Sequence, residues 1–164
     1  MRRIALVATA LILLAGCAPQ PVKDTQEKYL ITGTCNGVEV IVNYGILGER
    51  TSSCVSSAGE AIAKDILASA DITTEGTITY GDQIVCRVNG LPAGDQVLEV
   101  PGEAPHTESC ADMPPAFAYW ALWVKADAES EWEYASEGVG TLKLTPGQSI
   151  GLMFTTGSLA ATPN

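Results

Sequence analysis

The sequence predicts an α+β fold: a small, β-grasp-like antiparallel or mixed sheet with one amphipathic helix packed on one face. Three observations support this prediction. Segments with the two-residue alternation of half-buried strands occur along most of the chain. One segment, 57–70, carries apolar side chains at the three- and four-residue spacing of a helix. The order is strand, helix and then many strands, which favours the α+β class.

The first part of the predicted domain contains the first strand and the helix. Alternating valines predict a strand over 38–44, and residues 45–53 are expected to form a loop. Ser57 is followed three residues later by Glu60, which is a capping-box signature, so the helix is expected to begin there and to end near Ala70. The apolar stripe of this helix consists of Ile62, Ala63, Ile66, Leu67 and Ala70.

The second part of the domain is predicted to be sheet. Strands are expected at 77–80, 84–88, 117–125, 132–134, 142–144 and 150–154. Asn89-Gly90 is the dipeptide most typical of tight hairpins, and Pro146-Gly147 is typical of a type I or type II turn. No internal repeat is evident, so one domain is expected over 33–156.

The amino-terminal residues predict export and lipid attachment. Two arginines precede an apolar run over 4–14, which is shorter than the roughly 20 residues needed to span a bilayer. The run closes on Leu-Ala-Gly-Cys17, the lipobox of bacterial lipoprotein precursors. Residues 1–16 are therefore interpreted as a lipoprotein signal peptide, and Cys17 as the lipidation site that carries diacylglycerol and palmitate-like chains. An ordinary secretory signal with an incidental cysteine is the alternative.

The lipid is expected to hold the protein at the extracytoplasmic face of the cell membrane, within the cell envelope. Residues 17–32 are predicted to form the lipidated terminus and a flexible tether, and the small, polar residues 157–164 a disordered tail. The formal net charge of −10 argues against nucleic acid and anionic lipid headgroups as partners.

The other four cysteines predict two disulfides, because an exported protein meets an oxidising compartment. Cys35, Cys54, Cys86 and Cys110 allow three pairings. Pairing of sequence neighbours would close two loops of about 20 residues, each stabilising the fold by about 3 kcal/mol. A zinc site is the rival interpretation, but no Cys-x-x-Cys spacing is present and His106 is the only histidine, so no metal is expected.

Catalytic chemistry finds little support in the sequence, and we expect neither an enzyme nor a cofactor. A nucleophile would depend on His106, which lies in a proline-rich loop over 101–115, and no Gly-x-Ser-x-Gly motif is present. Paired carboxylates such as Glu103 and Glu108, and the acidic run 127–133, are interpreted as solvated loops. A hydrolase that uses His106 is retained as a third hypothesis.

Three segments of the second part resemble a known family. They are Ile84-Val-Cys-Arg-Val-Asn-Gly90, Cys110-Ala-Asp-Met-Pro-Pro-Ala-Phe-Ala-Tyr-Trp120 and Trp132-Glu-Tyr-Ala-Ser-Glu-Gly-Val-Gly140. In this order they resemble a family of actinobacterial exported lipoproteins that has no assigned function. These lipoproteins are similar to the C-terminal domain of transcobalamin and intrinsic factor. The resemblance covers residues 36–156.

The resemblance implies a β-grasp-like domain in which Cys86 is bridged to Cys110. This supports the pairing of neighbours, Cys35–Cys54 and Cys86–Cys110. It also implies a vitamin-like small molecule as the ligand and an importer as the neighbouring machinery. Cobalamin as the ligand would need a second, helical domain to complete the cleft, and no such domain is expected from this sequence.

The aromatic side chains are the best candidates for a binding site. Half of the ten aromatic residues fall within sixteen positions: Tyr119, Trp120, Trp123, Trp132 and Tyr134. Alternation along 117–125 sends Trp120 and Trp123 to opposite faces of the sheet, so one of them faces the helix. If the second face is open, Tyr119 and Trp123 present a binding surface there; if chain covers it, all five residues belong to the core.

We therefore expect a non-catalytic binding module of the cell envelope that captures a small molecule through these aromatic residues. A structural or adhesive envelope protein, which recognises another protein by its sheet edge or its acidic loops, is the alternative.

Overall fold

The computed structural model describes residues 35–157 and 160–164. The predictions for the signal peptide, for lipidation of Cys17 and for the tether 17–32 lie outside these residues. The strands are β1 (Val38–Asn43), β2 (Thr51–Val55), β3 (Ala61–Ile62), β4 (Thr74–Thr77), β5 (Gly81–Val88), β6 (Val97–Leu98), β7 (His106–Thr107), β8 (Ala118–Lys125), β9 (Glu133–Tyr134), β10 (Lys143–Leu144) and β11 (Ser149–Thr156). The helix α1 is Ala63–Ser69, and a short 3-10 helix is Gly45–Leu47. Within this described part, no helix has the length and apolar character needed to cross a membrane.

Five strands form the central sheet in the order β2-β1-β11-β8-β9. The neighbours β1 and β11 are parallel, and the other three pairs are antiparallel. The last strand thus returns between the first hairpin and the β8–β9 pair, which is the strand order of a β-grasp sheet. The predicted α+β class, with a mixed sheet and one helix, is confirmed.

The two parallel strands at the centre of the sheet are covered on both faces. In β11, Ile150, Leu152 and Phe154 enter the main core, while Gly151 and Met153 face the opposite side. A strand that is buried on both faces has a nearly continuous apolar sequence rather than a strict alternation. This explains the run Ile-Gly-Leu-Met-Phe of β11.

The main core lies between one face of the sheet and a layer made of α1 and three two-stranded sheets. Ala63, Ile66 and Leu67 are the buried residues of α1, and they share this core with Val40 and Leu152 of the central strands. Full burial of a leucine or isoleucine side chain stabilises a fold by about 1.5–3 kcal/mol. The predicted packing of one amphipathic helix on one face is confirmed.

Helix α1 begins later than the capping-box pattern predicts. The Ser57 hydroxyl donates to the carbonyl of Gly59 at 2.6 Å and does not cap the helix. The two residues of β3 pair with β10, and Ile62 then takes the N-cap position without a side-chain hydrogen bond. The prediction of a helix over 57–62 is therefore wrong, because the residues just before α1 form strand β3 and pair with β10.

Backbone carbonyls from a distant segment replace the missing side-chain cap. The N–H of Ala63 donates to the carbonyl of Leu142 at 2.8 Å, and that of Lys64 to the carbonyl of Val139 at 2.9 Å. These bonds satisfy two of the four N–H groups that every helix leaves unpaired at its N terminus. A local cap such as Ser57 is therefore not needed.

Two further segments differ from the predictions. Part of 45–53, expected to be a loop, contributes to the edge strand β2, whose exposed Thr-Ser-Ser sequence shows no apolar alternation. The predicted strand 77–80 is a strand only at Thr77, the last residue of β4, and residues 78–80 form a turn. In this turn Ile78 is 84% exposed, and its N–H donates to the carbonyl of Cys110 at 2.7 Å. In both segments, hydrogen-bond partners elsewhere in the chain decide the structure against the local propensity, which disfavours a strand in the first segment and favours one in the second.

The two predicted turns are confirmed. Asn89 and Gly90 have φ angles of 50° and 75°, both positive, as a type I′ hairpin turn requires. Gly147 has a φ angle of 96° directly after Pro146, and such an angle at the third turn position defines a type II turn.

The two disulfides join sequence neighbours, Cys35 to Cys54 and Cys86 to Cys110. Their Cα atoms are 5.6 Å and 5.5 Å apart. The first bridge ties the edge strand β2 to the chain just before β1. The second ties β5 to the loop that precedes β8. The predicted pairing is confirmed.

Residues 160–164, which we call the C-terminal strap, lie on the face of the sheet opposite α1. Pro163 is fully buried, and a Cβ atom on Gly151 would overlap its ring. The indole Nε1 of Trp132 donates to Oδ1 of Asn164 at 2.7 Å. The strap thus differs from the disordered tail expected there, because the apolar second face of the sheet gives it a surface to bury.

Candidate functional site

A groove of about 610 Å³ opens between β5 and the free edge of β8. Its floor is formed by 119–122 of β8, and its walls by 83–85 of β5, by the loop 113–116 and by 134–138 at the end of β9. We call it the β5–β8 groove. Sites for small molecules typically measure about 300–1,000 Å³, so a ligand of ordinary cofactor or drug size fits here.

The groove exists because β9 is short. This strand pairs only with Trp123 and Val124, and the N–H of Ala135 adds one further bond to the carbonyl of Leu122 at 3.0 Å. Beyond Ala135 the chain leaves β8 and approaches β5. Among the described strands none continues along this edge, so the part of β8 before Leu122 borders the groove.

Two glycines hold the outer wall of the groove against β5. A Cβ atom on Gly138 would overlap the backbone of Asp82 and Gln83, and one on Gly140 would crowd the Asp82 side chain. Between them, Val139 is fully buried in the main core. The Gly-Val-Gly sequence therefore combines close backbone contact with an apolar anchor.

The floor of the groove is fixed by the core beneath it. Trp120 is 6% exposed, and its indole Nε1 donates to the carbonyl of Leu91 at 3.0 Å. Its ring packs edge-on against Tyr44 and Phe154, with ring centroids 5.5 Å and 5.4 Å away. A floor held in this way is preorganised, so little conformational freedom is lost when a ligand binds.

Two tyrosines form the rim of the groove. The hydroxyl oxygens of Tyr119 and Tyr134 lie 3.3 Å apart and share a hydrogen bond, and the Tyr134 ring stacks on Trp123 with centroids 4.0 Å apart. Although Tyr134 is 54% exposed, partial desolvation of its hydroxyl, reinforced by the hydrogen bond shared with Tyr119, raises the pKa of Tyr134 to about 12. The Tyr134 hydroxyl is therefore neutral at physiological pH and can both donate and accept hydrogen bonds.

One charged side chain lines the groove, that of Glu137, and it is exposed. After Glu60, which is the main cause, Glu137 also helps to raise the pKa of Lys143. The other polar side chains of the lining are those of Gln83, Ser136 and the two rim tyrosines. An apolar, aromatic surface with a few polar groups is typical of small-molecule sites.

The structure brings together three of the five candidate aromatic residues. Tyr119, Trp120 and Tyr134 line the groove, whereas Trp123 and Trp132 lie on the second face and are only 7% and 8% exposed. The predicted alternation of Trp120 and Trp123 is confirmed, but the second face is covered rather than open. Trp123 and Trp132 thus belong to the core. The buried Nε1 of Trp123 has no hydrogen-bond partner among the described atoms, and nothing in the structure explains it.

The region around His106 is a partly buried cluster beside the second disulfide. Glu108 is 5% exposed; its Oε1 accepts the N–H of Cys110 at 2.7 Å, and its Oε2 lies 3.3 Å from His106 Nε2. The interpretation of Glu108 as a solvated carboxylate is therefore wrong, because a backbone N–H and an imidazole replace water. Glu108 and the sulfurs of Cys86 and Cys110 are close enough to ligate a metal, but the sulfurs are bonded to each other.

The acidic run 127–133 contains a turn that Asp127 stabilises. Its Oδ1 accepts hydrogen bonds from the Ser130 hydroxyl and the Ser130 N–H, both at 2.8 Å, and from the Glu129 N–H at 3.0 Å. These bonds, that of the Ser130 hydroxyl first, hold the pKa of Asp127 below its ordinary value. The carboxylate is exposed and acts within the loop, as the solvated interpretation of this run predicts.

Sequence reasoning misses several residues that line the groove, among them Ile84, Met113 and Glu137. They come from segments far apart in the chain. Each lies in one of the three segments that carry the family resemblance, but nothing in those segments indicates that these residues line a groove. The Gly-Val-Gly sequence beside Glu137 is the one available signal, and it indicates a close backbone approach rather than a binding site.

A scan against protein-family models, a search of curated proteins and a search of solved structures found no match to this chain. The resemblance to transcobalamin-like exported lipoproteins therefore stays a prediction.

Proposed function

We propose that this chain is a non-catalytic binding lipoprotein that captures a small molecule in the β5–β8 groove, outside the cytoplasmic membrane. The observation that carries this proposal is the groove itself, with its volume of about 610 Å³ and its aromatic lining. Clefts of this size with a few convergent polar groups are the usual sites of small-molecule binding.

The polar groups of the groove support binding rather than catalysis. The hydroxyls of Tyr119 and Tyr134 are bonded to each other, and Glu137 is an exposed carboxylate. The imidazole of His106 contacts Glu108 in a separate cluster. The rival proposal, a hydrolase that uses His106, would be supported if His106→Ala removed a hydrolytic activity of the purified protein.

The lipid predicted on Cys17 would anchor this binding module at the membrane. An anchored groove raises the concentration of captured ligand next to membrane machinery, and an importer for a vitamin-like compound is the machinery that the resemblance implies. Mass spectrometry of the N-terminal peptide from the membrane fraction tests this part. We expect an acylated peptide beginning at Cys17; a soluble protein that retains residues 1–16 would contradict it.

Native mass spectrometry of the intact protein, purified from its own host, tests capture directly. We expect a bound small molecule in the wild type and none in Ala116→Trp, because Ala116 is an exposed residue of the lining and an indole there fills the groove. The control Ala128→Trp adds the same side chain at another exposed alanine and should retain the ligand. Equal occupancy in both variants would overturn the proposal.

When no compound survives purification, a thermal-shift screen of small molecules takes the place of this measurement. Vitamin-like compounds, the class that the resemblance implies, belong in that screen, and cobalamin is included among them. A compound that stabilises the wild type and the Ala128→Trp variant but not Ala116→Trp supports capture in the groove.

An envelope protein that recognises another protein is the second candidate. The strand β2 favours it, because it is an edge strand with exposed residues and, among the strands that the structure describes, pairs with β1 alone. Such an edge can accept a strand from a partner. A pull-down from solubilised envelope separates the two candidates: a stoichiometric protein partner, together with an empty groove, would favour this one.

A further inference from the structure

We propose that the β5–β8 groove selects a flat, cationic ligand, that is, an aromatic body that carries an ammonium group. This inference rests on the proposed function and adds the chemical class of the ligand. The apolar floor, the tyrosine rim and the single carboxylate of the lining carry it.

The charge in and around the groove is negative. Among the lining residues that the structure describes, Glu137 is the one with a charge, and none is a lysine, arginine or histidine. The nearby cations already have partners: Lys64 contacts Asp82 at 2.6 Å, and Lys143 contacts Glu60 at 2.9 Å. With a formal net charge of −10, the whole chain adds to the field that attracts a cation and repels an anion.

The rim tyrosines suit an ammonium group as well. Their hydroxyl oxygens, 3.3 Å apart, share one hydrogen bond, which leaves lone pairs that can accept N–H groups. The rings are electron-rich surfaces of the kind that bind organic cations. Tyr134 is 54% exposed, so its side chain is accessible from the groove entrance.

The floor suits the flat part of such a ligand. The lining side chains of Trp120, Leu122 and Ile84 are apolar, and Trp120 is held rigidly by its bond to Leu91. An aromatic body can therefore lie on the floor while its ammonium group reaches Glu137 and the rim.

Three probes that share a naphthyl ring test the inference: naphthylmethylammonium, naphthylmethanol and naphthoate. Binding to the intact protein is measured by tryptophan fluorescence and calorimetry at low salt, in a neutral detergent. We expect the cation to bind about five- to tenfold more tightly than the neutral alcohol, because a partly solvated charge pair has this strength. The anion is expected to bind more weakly than the alcohol.

Glu137→Gln identifies the carboxylate responsible. In this variant the advantage of the cation over the alcohol should fall to about twofold or less, while the affinity for the alcohol stays the same. The control Glu129→Gln removes an equally exposed carboxylate from the acidic run and should leave all three affinities unchanged. Added salt should weaken binding of the cation only.

The outcomes separate this inference from the proposed function. Equal affinity for the cation and the alcohol, with loss of both in Ala116→Trp, would overturn the charge selectivity and support the groove as a binding site. Failure of all three probes to bind would overturn the selectivity, and the native mass spectrum would then decide on capture independently.

Discussion

At the scale of single residues, the hydroxyl pair at the groove rim shows how a contact alters the chemistry of a side chain. The pKa of Tyr134 is raised to about 12, first by desolvation of its hydroxyl and then by the hydrogen bond that this hydroxyl shares with Tyr119. The folded protein thus retains a proton that the unfolded chain loses near pH 10. The resulting stabilisation is fully present below pH 10 and is lost as the pH rises through about 12.

Tyr119→Phe should lower the pKa of Tyr134 from about 12 toward 10. The hydrogen bond and the neighbouring charge disappear, whereas the burial persists, so the value should remain above 10. Spectrophotometric titration of tyrosinate absorbance, compared between the variant and the wild type, measures the shift. Tyr80→Phe is the control, because Tyr80 is exposed and lies outside the groove lining. An unchanged titration of Tyr134 would mean that the two hydroxyls do not interact in solution.

Pro163→Ala should lower the free energy of unfolding by about 1–2 kcal/mol. It removes two buried methylene groups, each contributing about 0.8 kcal/mol, from the slot over Gly151. Urea unfolding measures the change, and Pro105→Ala, at an exposed proline, controls for effects on the unfolded chain. Equal small effects of both substitutions would mean that the strap is not attached to the sheet.

Among the strands, the four long ones and the short strands β9 and β10 could be predicted, whereas the short strands β3, β6 and β7 could not. β1, β5, β8 and β11 have enough residues for a clear apolar pattern, and each was expected close to its observed position. The two-residue strands β3, β6 and β7 have no pattern of their own and exist because of their pairing. The helix prediction is right for the buried residues Ala63, Ile66 and Leu67 of the apolar stripe and wrong for Ile62, which is exposed and belongs to β3. It is also wrong for the beginning of the helix, since the cap comes from Val139 and Leu142.

Ser57→Ala tests the origin of the helix cap. Loss of a true N-cap costs about 1 kcal/mol. Because Ser57 bonds only to Gly59, we expect the free energy of unfolding to change by less than about 0.5 kcal/mol. Ile66→Ala, within the buried face of α1, is the positive control and should cost about 2–5 kcal/mol. A cost near that of a cap at Ser57 would restore the capping-box interpretation.

At the scale of the whole molecule, the second disulfide joins two walls of the groove. Cys86 belongs to β5, and Cys110 opens the segment that leads to the wall at 113–116. The first disulfide, Cys35–Cys54, lies at the other edge of the sheet, beside β2. The two bridges therefore have similar loop lengths but different relations to the site.

Replacing either pair of cysteines by serine should lower the free energy of unfolding by about 3 kcal/mol, as loops of this length predict. Only the Cys86→Ser/Cys110→Ser variant should also weaken binding of naphthylmethylammonium, because its two walls are no longer tied together. Thermal unfolding measures the loss of stability. A fluorescence titration, carried out below the melting temperatures of both variants, measures the loss of binding. Equal loss of binding in the two variants would contradict the assignment of the groove as the site.

The candidate site could be predicted only in part. Clustering of aromatic residues pointed to Tyr119, Trp120 and Tyr134, which do line the groove. The same clustering also predicted Trp123 and Trp132 as binding residues, but these two lie on the second face of the sheet and are buried beneath the strap. Alternation tells which side chains share a face of a strand, but it carries no information about whether another segment covers that face.

Local patterns in the chain are enough to predict the α+β class, the long strands, the opposite orientation of Trp120 and Trp123 and the presence of two turns. These features depend on periodicity and backbone preference, which act over a few neighbouring residues. Three other features become visible only in the folded molecule: the residue at which α1 begins, the face that the strap covers, and the early end of β9 that leaves a groove. Each of these depends on hydrogen bonds and contacts between segments far apart in the chain, and local sequence does not encode such contacts.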